Sequence, residues 1–328
     1  MSRTTTEPES LFQSNPRIAV LVPCYNEELT VTEVVKAFKA ELPNAEIYVY
    51  DNNSTDRTVD FALAAGAIVT KEPRQGKGFV IQSMFRQIEA DIYVMVDGDA
   101  TYPAPEVHRL MEPVIKGEAD MVVGSRLSSG TNSEFRQINR LGNRFVLAVL
   151  NSIFGVRLTD ILSGYRAFTR DFVKTLPLFG GGFEIETELT IKAIARGWRI
   201  VEIPTTLTSR PEGSHSKINL FRDGALIINT ILALFRDYKP LTFFGTVGLV
   251  IVLISLIPAA YIAVKAPSMV VWEVLLVGMT LTGIVLLVAG LILHTIVRRF
   301  QEIEHNLHVQ NDLRYKIERI EARNRVDP

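Results

Sequence analysis

Residues 94–103 read Val94-Met95-Val96-Asp97-Gly98-Asp99-Ala100-Thr101-Tyr102-Pro103, an apolar run that stops at two carboxylates one residue apart. The run predicts a buried strand. Alternate side chains of a strand share one face, so Asp97 and Asp99 are expected to approach one divalent cation if the strand persists, while Gly98 lets a ligand lie close. Mg²⁺ and Mn²⁺ prefer such oxygens and fill their other positions with phosphates and water. On its own, the pattern is more often a turn or a helix cap.

The N-terminal part of the chain alternates between predicted strands and predicted helices. Short β-branched runs indicate the strands, and apolar residues at helical spacing indicate the helices. Repeats of strand, helix and strand at these intervals imply parallel strands with right-handed crossovers. The strands are predicted at Ile18–Val22, Glu46–Tyr50 and Ala67–Thr70, and the helices at Glu27–Leu42, Thr58–Ala65 and Gly78–Ile88.

Polar residues follow three of the predicted strands. They are the segments 23–27 and 51–56 and the pair Asp97 and Asp99. Ligands of parallel sheets bind beyond the carboxyl ends of the strands. Three polar clusters on one edge therefore predict a binding site there.

The order of several short motifs resembles that of a known family. The motifs are Pro23-Cys24-Tyr25-Asn26-Glu27, Asp51-Asn52-Asn53-Ser54-Thr55-Asp56, Gly76-Lys77-Gly78 and Asp97-Gly98-Asp99. They are similar to those of the family-2 inverting glycosyltransferases, which implies the GT-A nucleotide-sugar-binding fold: an α/β fold with a mostly parallel sheet and helices on both faces.

Later motifs resemble one branch of that family, the polyprenyl-phosphate glycosyltransferases, which includes the dolichol-phosphate mannose synthases. These motifs are Gly124-Ser125-Arg126, Asp160 with Ser163-Gly164-Tyr165-Arg166-Ala167-Phe168, and Arg210-Pro211-Glu212-Gly213-Ser214-His215-Ser216-Lys217. The resemblance covers roughly residues 17–239 and implies a catalytic domain at 16–217.

The resemblance implies a donor site at the strand ends. A nucleotide diphosphate sugar would contact Pro23, Tyr25, Glu27, Asp51, Asn52, Lys77, Asp97, Gly98 and Asp99. Asp97 and Asp99 would hold the Mg²⁺ or Mn²⁺, with Asp99 the first choice as direct ligand. Many relatives carry a second acid where Asn52 stands, so the base is left open: a UDP-sugar such as UDP-glucose or UDP-GlcNAc is favoured, and GDP-mannose is the alternative. An ATP-binding Walker loop is excluded, because Lys71 and Gly78 occupy two of its required positions.

The resemblance also implies a polyprenyl phosphate acceptor. Arginine grips phosphate through two hydrogen bonds and lysine supplies a point charge. The residues expected to bind the lipid phosphate are Arg126, Arg136, Arg140, Ser163, Arg166, Arg210, Ser216 and Lys217, and the catalytic set is Asp97, Asp99, Arg126, Asp160 and Arg210. Glu184 and Glu186 are explained equally well by a helix dipole and by a function. His108 and His215 lack partners at zinc-site spacing.

Composition agrees with these expectations. The 328 residues carry a net charge of −1, which argues against nucleic acid as a partner. The single cysteine, Cys24, excludes an internal disulfide framework and a cysteine-based metal site. The polar segment 1–15 predicts a flexible N-terminus without a cleaved secretory signal.

The C-terminal third predicts a membrane anchor. Apolar stretches at about 241–264 and 270–297 each exceed the roughly 20 residues that cross a bilayer. Segment 218–239 predicts an interfacial helix, and 299–328 a cytoplasmic helix or tail that pairs subunits or stays solvated. Basic residues flank the pair of spans, and only Lys265 lies between them, which predicts that the catalytic domain and both termini are cytoplasmic.

The sequence thus predicts an integral membrane enzyme that moves one sugar from a nucleotide diphosphate to a polyprenyl phosphate. A processive polysaccharide synthase is disfavoured because its Gln-x-x-Arg-Trp motif is absent. A non-catalytic membrane scaffold with a transferase fold is the remaining alternative.

Overall fold

The computed structural model describes residues 16–126, 147–208, 210, 220–265 and 268–326. The chain divides into two compact units, Met1–Ile231 and Leu232–Pro328. The predicted boundaries at 217, 239 and 298 are not tested by this division and stay predictions.

The first unit contains a seven-stranded sheet in the order β3-β2-β1-β4-β6-β5-β7. Strand β6 runs antiparallel to its neighbours β4 and β5, and the other pairs are parallel, which confirms the mostly parallel sheet. The strands are β1 (Ile18–Cys24), β2 (Glu46–Asp51), β3 (Ile68–Lys71), β4 (Ile92–Met95), β5 (Met121–Ser125), β6 (Arg166–Thr169) and β7 (Ile200–Pro204).

Helices cover both faces of this sheet, as predicted. Alternate residues of β1 enter two separate cores: Val20 and Val22 pack with helices α1, α2 and α4, while Ala19 and Leu21 pack with α3, α6 and α7. The helices are α1 (Val31–Glu41), α2 (Thr58–Ala64), α3 (Lys77–Gln87), α4 (Val107–Ile115) after a 3₁₀ turn (Ala104–Glu106), α5 (147–154), α6 (Arg170–Thr175) and α7 (Ile185–Ala195).

Helix α8 (Leu220–Tyr238) crosses the boundary between the two units. Its buried residues Ile227 and Ile231 are spaced one turn apart, and Leu226, Ile228 and Leu232 are exposed. The helix predicted here is confirmed. Its placement on a membrane surface stays a prediction.

The second unit is an antiparallel pair of helices, α9 (Pro240–Lys265) and α10 (Val270–Val326). Gly248 packs against the backbone of Gly283, and Ser255 bonds Thr280 at 2.8 Å between the hydroxyl oxygens. Both helices contain segments long and apolar enough to cross a membrane. The hairpin predicted from the two apolar stretches is therefore confirmed.

Helix α10 runs through both the predicted second span and the charged segment after it. It continues without a break for 57 residues, and the predicted boundary between the span and a cytoplasmic helix or tail stays a prediction. No glycine or proline lies between Gly290 and Pro328, so nothing in the sequence interrupts the helical hydrogen bonding.

Candidate active site

Three loops meet at the carboxyl edge of the sheet, after β1, β2 and β4. Each contains a residue in the left-handed backbone region: Asn26 at φ 53°, Asn53 at φ 63° and Ala100 at φ 57°. They are the non-glycine residues with positive φ in the described part of the chain. Such conformations are costly and gather at binding sites, so this edge is the place to look for function.

The loops after β1 and β2 hold each other in place. The Asn26 amide donates to Ser54 Oγ at 2.8 Å, and Asn26 Oδ1 accepts from the Thr55 amide at 2.8 Å. The carboxylate of Asp51 is buried and accepts from the Ser54 amide at 3.2 Å. Asp51 therefore shapes the turn, while the Tyr25 side chain is 38% exposed at the same edge.

Gly98 has a different role from the expected one. A Cβ at this position would lie 2.7 Å from Cys24 Sγ and 3.5 Å from both the Glu27 side chain and the Pro23 carbonyl oxygen. The Gly98 carbonyl also accepts from Thr30 Oγ1 at 2.6 Å. The glycine is required by packing within the protein, and the predicted close approach of a ligand stays a prediction.

Asn52 is used by the neighbouring loop. Its Nδ2 donates to the carbonyls of Glu72 at 3.2 Å and Arg74 at 2.7 Å, and its Oδ1 accepts from the Gly76 amide at 2.7 Å. The side chain is buried. Because both amide hydrogens and the oxygen are engaged, Asn52 fixes segment 72–76 and has no donor left for a nucleobase.

Asp97 lies beyond the strand, because β4 ends at Met95. Its Oδ1 accepts from Lys77 Nζ at 2.6 Å, and the same ammonium lies 2.5 Å from Oε1 of Glu186. Burial lowers the pKa of Lys77, but the two carboxylates raise it more, so the pKa lies well above its usual value and the lysine is charged. A Cβ at Gly164 would overlap the Asp97 carboxylate at 2.4 Å, which explains the glycine there.

Asp99 is buried and held by two groups. Its Oδ1 accepts from Thr101 Oγ1 at 2.6 Å, and its Oδ2 accepts from Arg210 Nε at 3.0 Å and Nη2 at 2.5 Å. Burial raises the pKa of Asp99, but the Thr101 hydroxyl and the Arg210 guanidinium outweigh it, so the pKa lies below its usual value. Asp99 is therefore an anion at neutral pH.

Arg126 and Asp160 form a two-pronged ion pair. The Nε and Nη2 of Arg126 donate to the carboxylate at 2.6 and 2.8 Å, and the Arg126 amide donates to it at 3.1 Å. Burial lowers the pKa of Arg126, but the Asp160 carboxylate raises it more, so the pKa lies above its usual value. Asp97 raises it as well, which places Arg126 within electrostatic range of the Asp97 carboxylate. The sequence predicted both residues, and the structure brings them together.

Two residues expected at the lipid phosphate are internal. The Arg166 side chain is fully buried and donates to the carbonyls of Ser163 at 2.8 Å and Ile161 at 2.7 Å and to Thr190 Oγ1 at 2.9 Å. The Ser163 hydroxyl is also fully buried, 3.3 Å from the Tyr102 hydroxyl. In this structure both side chains shape the loop before β6, and their predicted contacts with a lipid phosphate stay predictions.

Four other predicted phosphate ligands, Arg136, Arg140, Ser216 and Lys217, lie outside the described residues. Sequence reasoning left Glu186 undecided and gave no role to Thr101 or Tyr102. Thr101 stands two residues after Asp99, a spacing at which a hydroxyl readily bonds a carboxylate, and that signal was present in the sequence. Nothing in the sequence revealed that Glu186 reaches Lys77.

Asp97 and Asp99 are the candidate ligands for a divalent cation at this edge of the sheet. Within the described residues there is no cluster of three or more His, Cys, Asp and Glu side chains suited to a metal. Mg²⁺ and Mn²⁺, however, are commonly held by one or two carboxylates and completed by substrate phosphates. Asp97 and Asp99 fit that mode, with a diphosphate supplying the remaining oxygens.

Comparison with known proteins agrees with this geometry. The family model Glycosyl transferase family 2 matches residues 19–176. Glycosyltransferase AglJ of Haloferax volcanii is 33% identical over 299 residues, covering 88% of this chain and 98% of AglJ. Undecaprenyl-phosphate mannosyltransferase of Micrococcus luteus is 27% identical over 230 residues, covering 65% of this chain and 92% of that protein.

A solved structure shares the fold of the first unit. It is glucosyl-3-phosphoglycerate synthase from Mycobacterium tuberculosis in complex with Mn²⁺, UDP-glucose and phosphoglyceric acid. The identity is 27%, the TM-score 0.57, and the match covers 67% of this chain and 80% of that one. Together with the site at the carboxyl edge of the sheet, these likenesses show that the chain is a glycosyltransferase and belongs to glycosyl transferase family 2.

Proposed function

We propose that the chain transfers a single sugar, with inversion, from a nucleotide diphosphate sugar to a polyprenyl phosphate at the cytoplasmic face of a membrane. The product is a polyprenyl-monophosphate sugar. The observation that carries the proposal is the presence, in one chain, of a glycosyltransferase site with anchored cations and a hairpin of two helices apolar enough to cross a membrane.

Lys77, Asp97 and Asp99 support a nucleotide diphosphate sugar as the donor. The leaving nucleotide diphosphate gains negative charge as the bond to the sugar C1 breaks, and Lys77 is a buried, fully charged cation at that edge. A Mg²⁺ or Mn²⁺ held by Asp97 and Asp99 would supply further charge neutralisation when bound. The Mn²⁺ and UDP-glucose in the mycobacterial synthase favour a UDP-sugar donor here.

The acceptor side is supported by Arg126. Asp160 holds its guanidinium rigidly, and 30% of the Arg126 side chain remains exposed. A phosphate monoester is largely ionised at neutral pH, so an oxygen of the lipid phosphate attacks C1 without a strong general base. The new C1–O bond forms as the C1–O bond to the diphosphate breaks. Arg126 orients the attacking phosphate and balances its charge.

The exposed residues of α9 and α10 support the proposed membrane location. Large apolar side chains such as Leu253, Ile257 and Trp272 are at least half exposed in this structure, which suits hydrocarbon and not water. The name of the Micrococcus luteus relative states undecaprenyl phosphate as acceptor. We infer cytoplasmic termini from Arg236, Lys239 and the Arg298–Arg299 pair.

The test is transfer by the full-length protein in detergent. It is incubated with undecaprenyl phosphate, Mg²⁺ or Mn²⁺, and one radiolabelled UDP- or GDP-sugar at a time, and label is counted in the organic extract. The proposal predicts label with one donor, dependent on the lipid phosphate. Folded protein that gives no lipid-linked label with any donor would contradict it and favour a scaffold or another acceptor.

A further inference from the structure

Helix α7 buries polar side chains that the reaction described above does not use. Glu186 and Thr190 lie one turn apart on it, and their residues are 3% and 1% exposed. A carboxylate in the first turn of a helix is ordinarily explained by the helix dipole, but that effect needs no burial. Burying a charge is costly unless specific partners compensate it, so Glu186 requires a further explanation.

The first partner of Glu186 is Lys77, on another helix. Lys77 Nζ lies 2.5 Å from Glu186 and 2.6 Å from Asp97, so one ammonium bridges α7 and the loop after β4. The backbone beside Lys77 is fixed as well. A Cβ added at Gly76 would lie 2.0 Å from the Gly181 carbonyl oxygen, and one added at Gly78 would lie 2.1 Å from the Gly180 carbonyl oxygen.

The turn of α7 that carries Glu186 is also tied to loop 161–164. Arg166 donates to the carbonyls of Ser163 and Ile161 in that loop and to Thr190 Oγ1 at 2.9 Å. The Thr190 hydroxyl in turn donates to the Glu186 backbone carbonyl at 2.8 Å. Gly164 of the loop packs against Asp97, so the helix, the loop and Asp97 are held together.

From these contacts we propose that Glu186 is a positioning residue for the donor site. It holds the Lys77 ammonium, which also pairs with Asp97, toward the proposed diphosphate position. The inference deepens the proposed function, because the ligand that Lys77 meets is taken to be a nucleoside diphosphate. Glu186 acts through Lys77 and contacts neither donor nor acceptor.

The test is a double-mutant cycle on nucleotide affinity. UDP, and in parallel GDP, is titrated calorimetrically into the full-length protein carrying Glu186→Gln, Lys77→Met or both. Each single change is expected to weaken binding about tenfold, the loss of roughly one charge-assisted contact. The double variant is expected to bind no more weakly than Lys77→Met, because Glu186 has nothing to hold once Lys77 is gone.

Three results would overturn the inference. Unchanged nucleotide affinity in Glu186→Gln means that Lys77 needs no such support. Additive losses in the double variant mean that Glu186 meets the ligand itself. Loss of transfer with intact nucleotide affinity means that Glu186 acts on the acceptor. If Glu186→Gln does not fold, Glu186→Asp keeps the charge but shortens the reach to Lys77, and it is expected to weaken UDP binding as well.

A control and a second readout separate this inference from the proposed function. Asp120→Asn removes another buried carboxylate, paired with Arg199 at 2.8 Å at the opposite edge of the sheet, and should lower the melting temperature without changing nucleotide affinity. If the wild type binds neither nucleotide, the proposed donor is wrong and the positioning role falls with it. If the wild type binds nucleotide but the Glu186→Gln variant binds it equally well, only the inference is wrong. The melting temperatures of the four proteins show separately whether Glu186 and Lys77 are coupled, and additive losses contradict the inference.

Discussion

The two units of the chain differ in the kinds of side chain that they bury and expose. The first unit buries charge: Asp160, Arg166 and Glu186 are each less than 5% exposed. The second unit exposes apolar side chains, with Ile257 at 67% and Trp272 at 60%. Buried charge requires partners held in fixed positions, and exposed hydrocarbon requires a non-aqueous surrounding. The buried charges of the first unit suit the charged ligands that we propose, and the exposed apolar helices of the second unit suit a membrane.

Hydroxyl groups show the same contrast. In the second unit they donate to backbone carbonyls four residues earlier in their own helix, as in Thr246, Ser255, Thr280, Thr282 and Thr295. In the first unit, hydroxyls such as those of Thr101 and Ser83 donate to the carboxylates of charged side chains. A hydroxyl group in lipid forms its hydrogen bond within its own helix, whereas a hydroxyl group at an active site positions a neighbouring side chain.

The largest effect is expected from Asp99→Asn. The change keeps the size of the side chain but removes the charge that pairs with Arg210 and suits a divalent cation. We expect kcat for sugar transfer to fall about 10³-fold, in the range seen when one electrostatic contact to a reacting group is lost. Initial rates of lipid labelling measure this, with Asp120→Asn as the control that keeps its rate. A rate within about tenfold of the wild type would refute the role.

A charge placed on each unit in turn tests the contrast directly. Leu253→Arg in α9 should cost about 3 kcal/mol of membrane insertion, the cost of an arginine at the centre of a span. Leu63→Arg in α2 should change stability by no more than about 0.5 kcal/mol. The two leucines are 50% and 54% exposed, so they are closely matched. Membrane fractionation of the expressed proteins measures how much of each variant reaches the membrane. Equal membrane yields for the two variants would contradict the distinction between the units.

The dependence of stability on pH tests the role of the buried Glu72 carboxylate in the loop that Asn52 holds. The Arg74 side chain lowers the pKa of Glu72 from 4.5 to about 2. The folded state therefore favours the carboxylate, and its contribution is complete above pH 4.5 and is lost as the pH falls toward about 2. The melting temperature of Glu72→Gln should lie below that of the wild type at pH 6, and the gap should close over that acid range. A gap independent of pH would show that charge is not involved.

The smallest effect is expected within the helical hairpin. Ser255→Ala removes one hydrogen bond to Thr280, and such bonds between membrane helices contribute about 0.6 kcal/mol. Unfolding of the detergent-solubilised protein should therefore shift only slightly, while transfer activity is unchanged. A loss above about 2 kcal/mol would mean that the hairpin depends on this polar contact and not on packing at Gly248.

Much of the fold and the position of the site could be predicted from the sequence. Apolar runs that end in polar clusters mark parallel strands and their carboxyl edge, and uncharged stretches of more than 20 residues mark the two long helices. The sequence also singles out five candidate site residues, whose catalytic roles stay predictions: Asp97, Asp99, Arg126, Asp160 and Arg210. Their pairing could not be predicted, because partners far apart in sequence are brought together only by the fold.

The internal partners of several residues could not be predicted, because one residue type serves two purposes. Arg166 and Ser163 belong to a motif next to the site, and a buried arginine looks the same in the sequence as one at a phosphate. The Asn52 amide group spans a loop 20 and more residues away, which the sequence does not show. A change from apolar to charged residues marks the predicted end of a membrane span but does not end helix α10.

The proposed transfer of one sugar to a lipid monophosphate is tested most directly by mass spectrometry of the lipid that the full-length protein forms from undecaprenyl phosphate and its preferred sugar nucleotide. We expect a single product that contains one sugar residue and one phosphate per polyprenol. A lipid with two phosphates, a ladder of longer glycans, or a sugar transferred to water alone would contradict it.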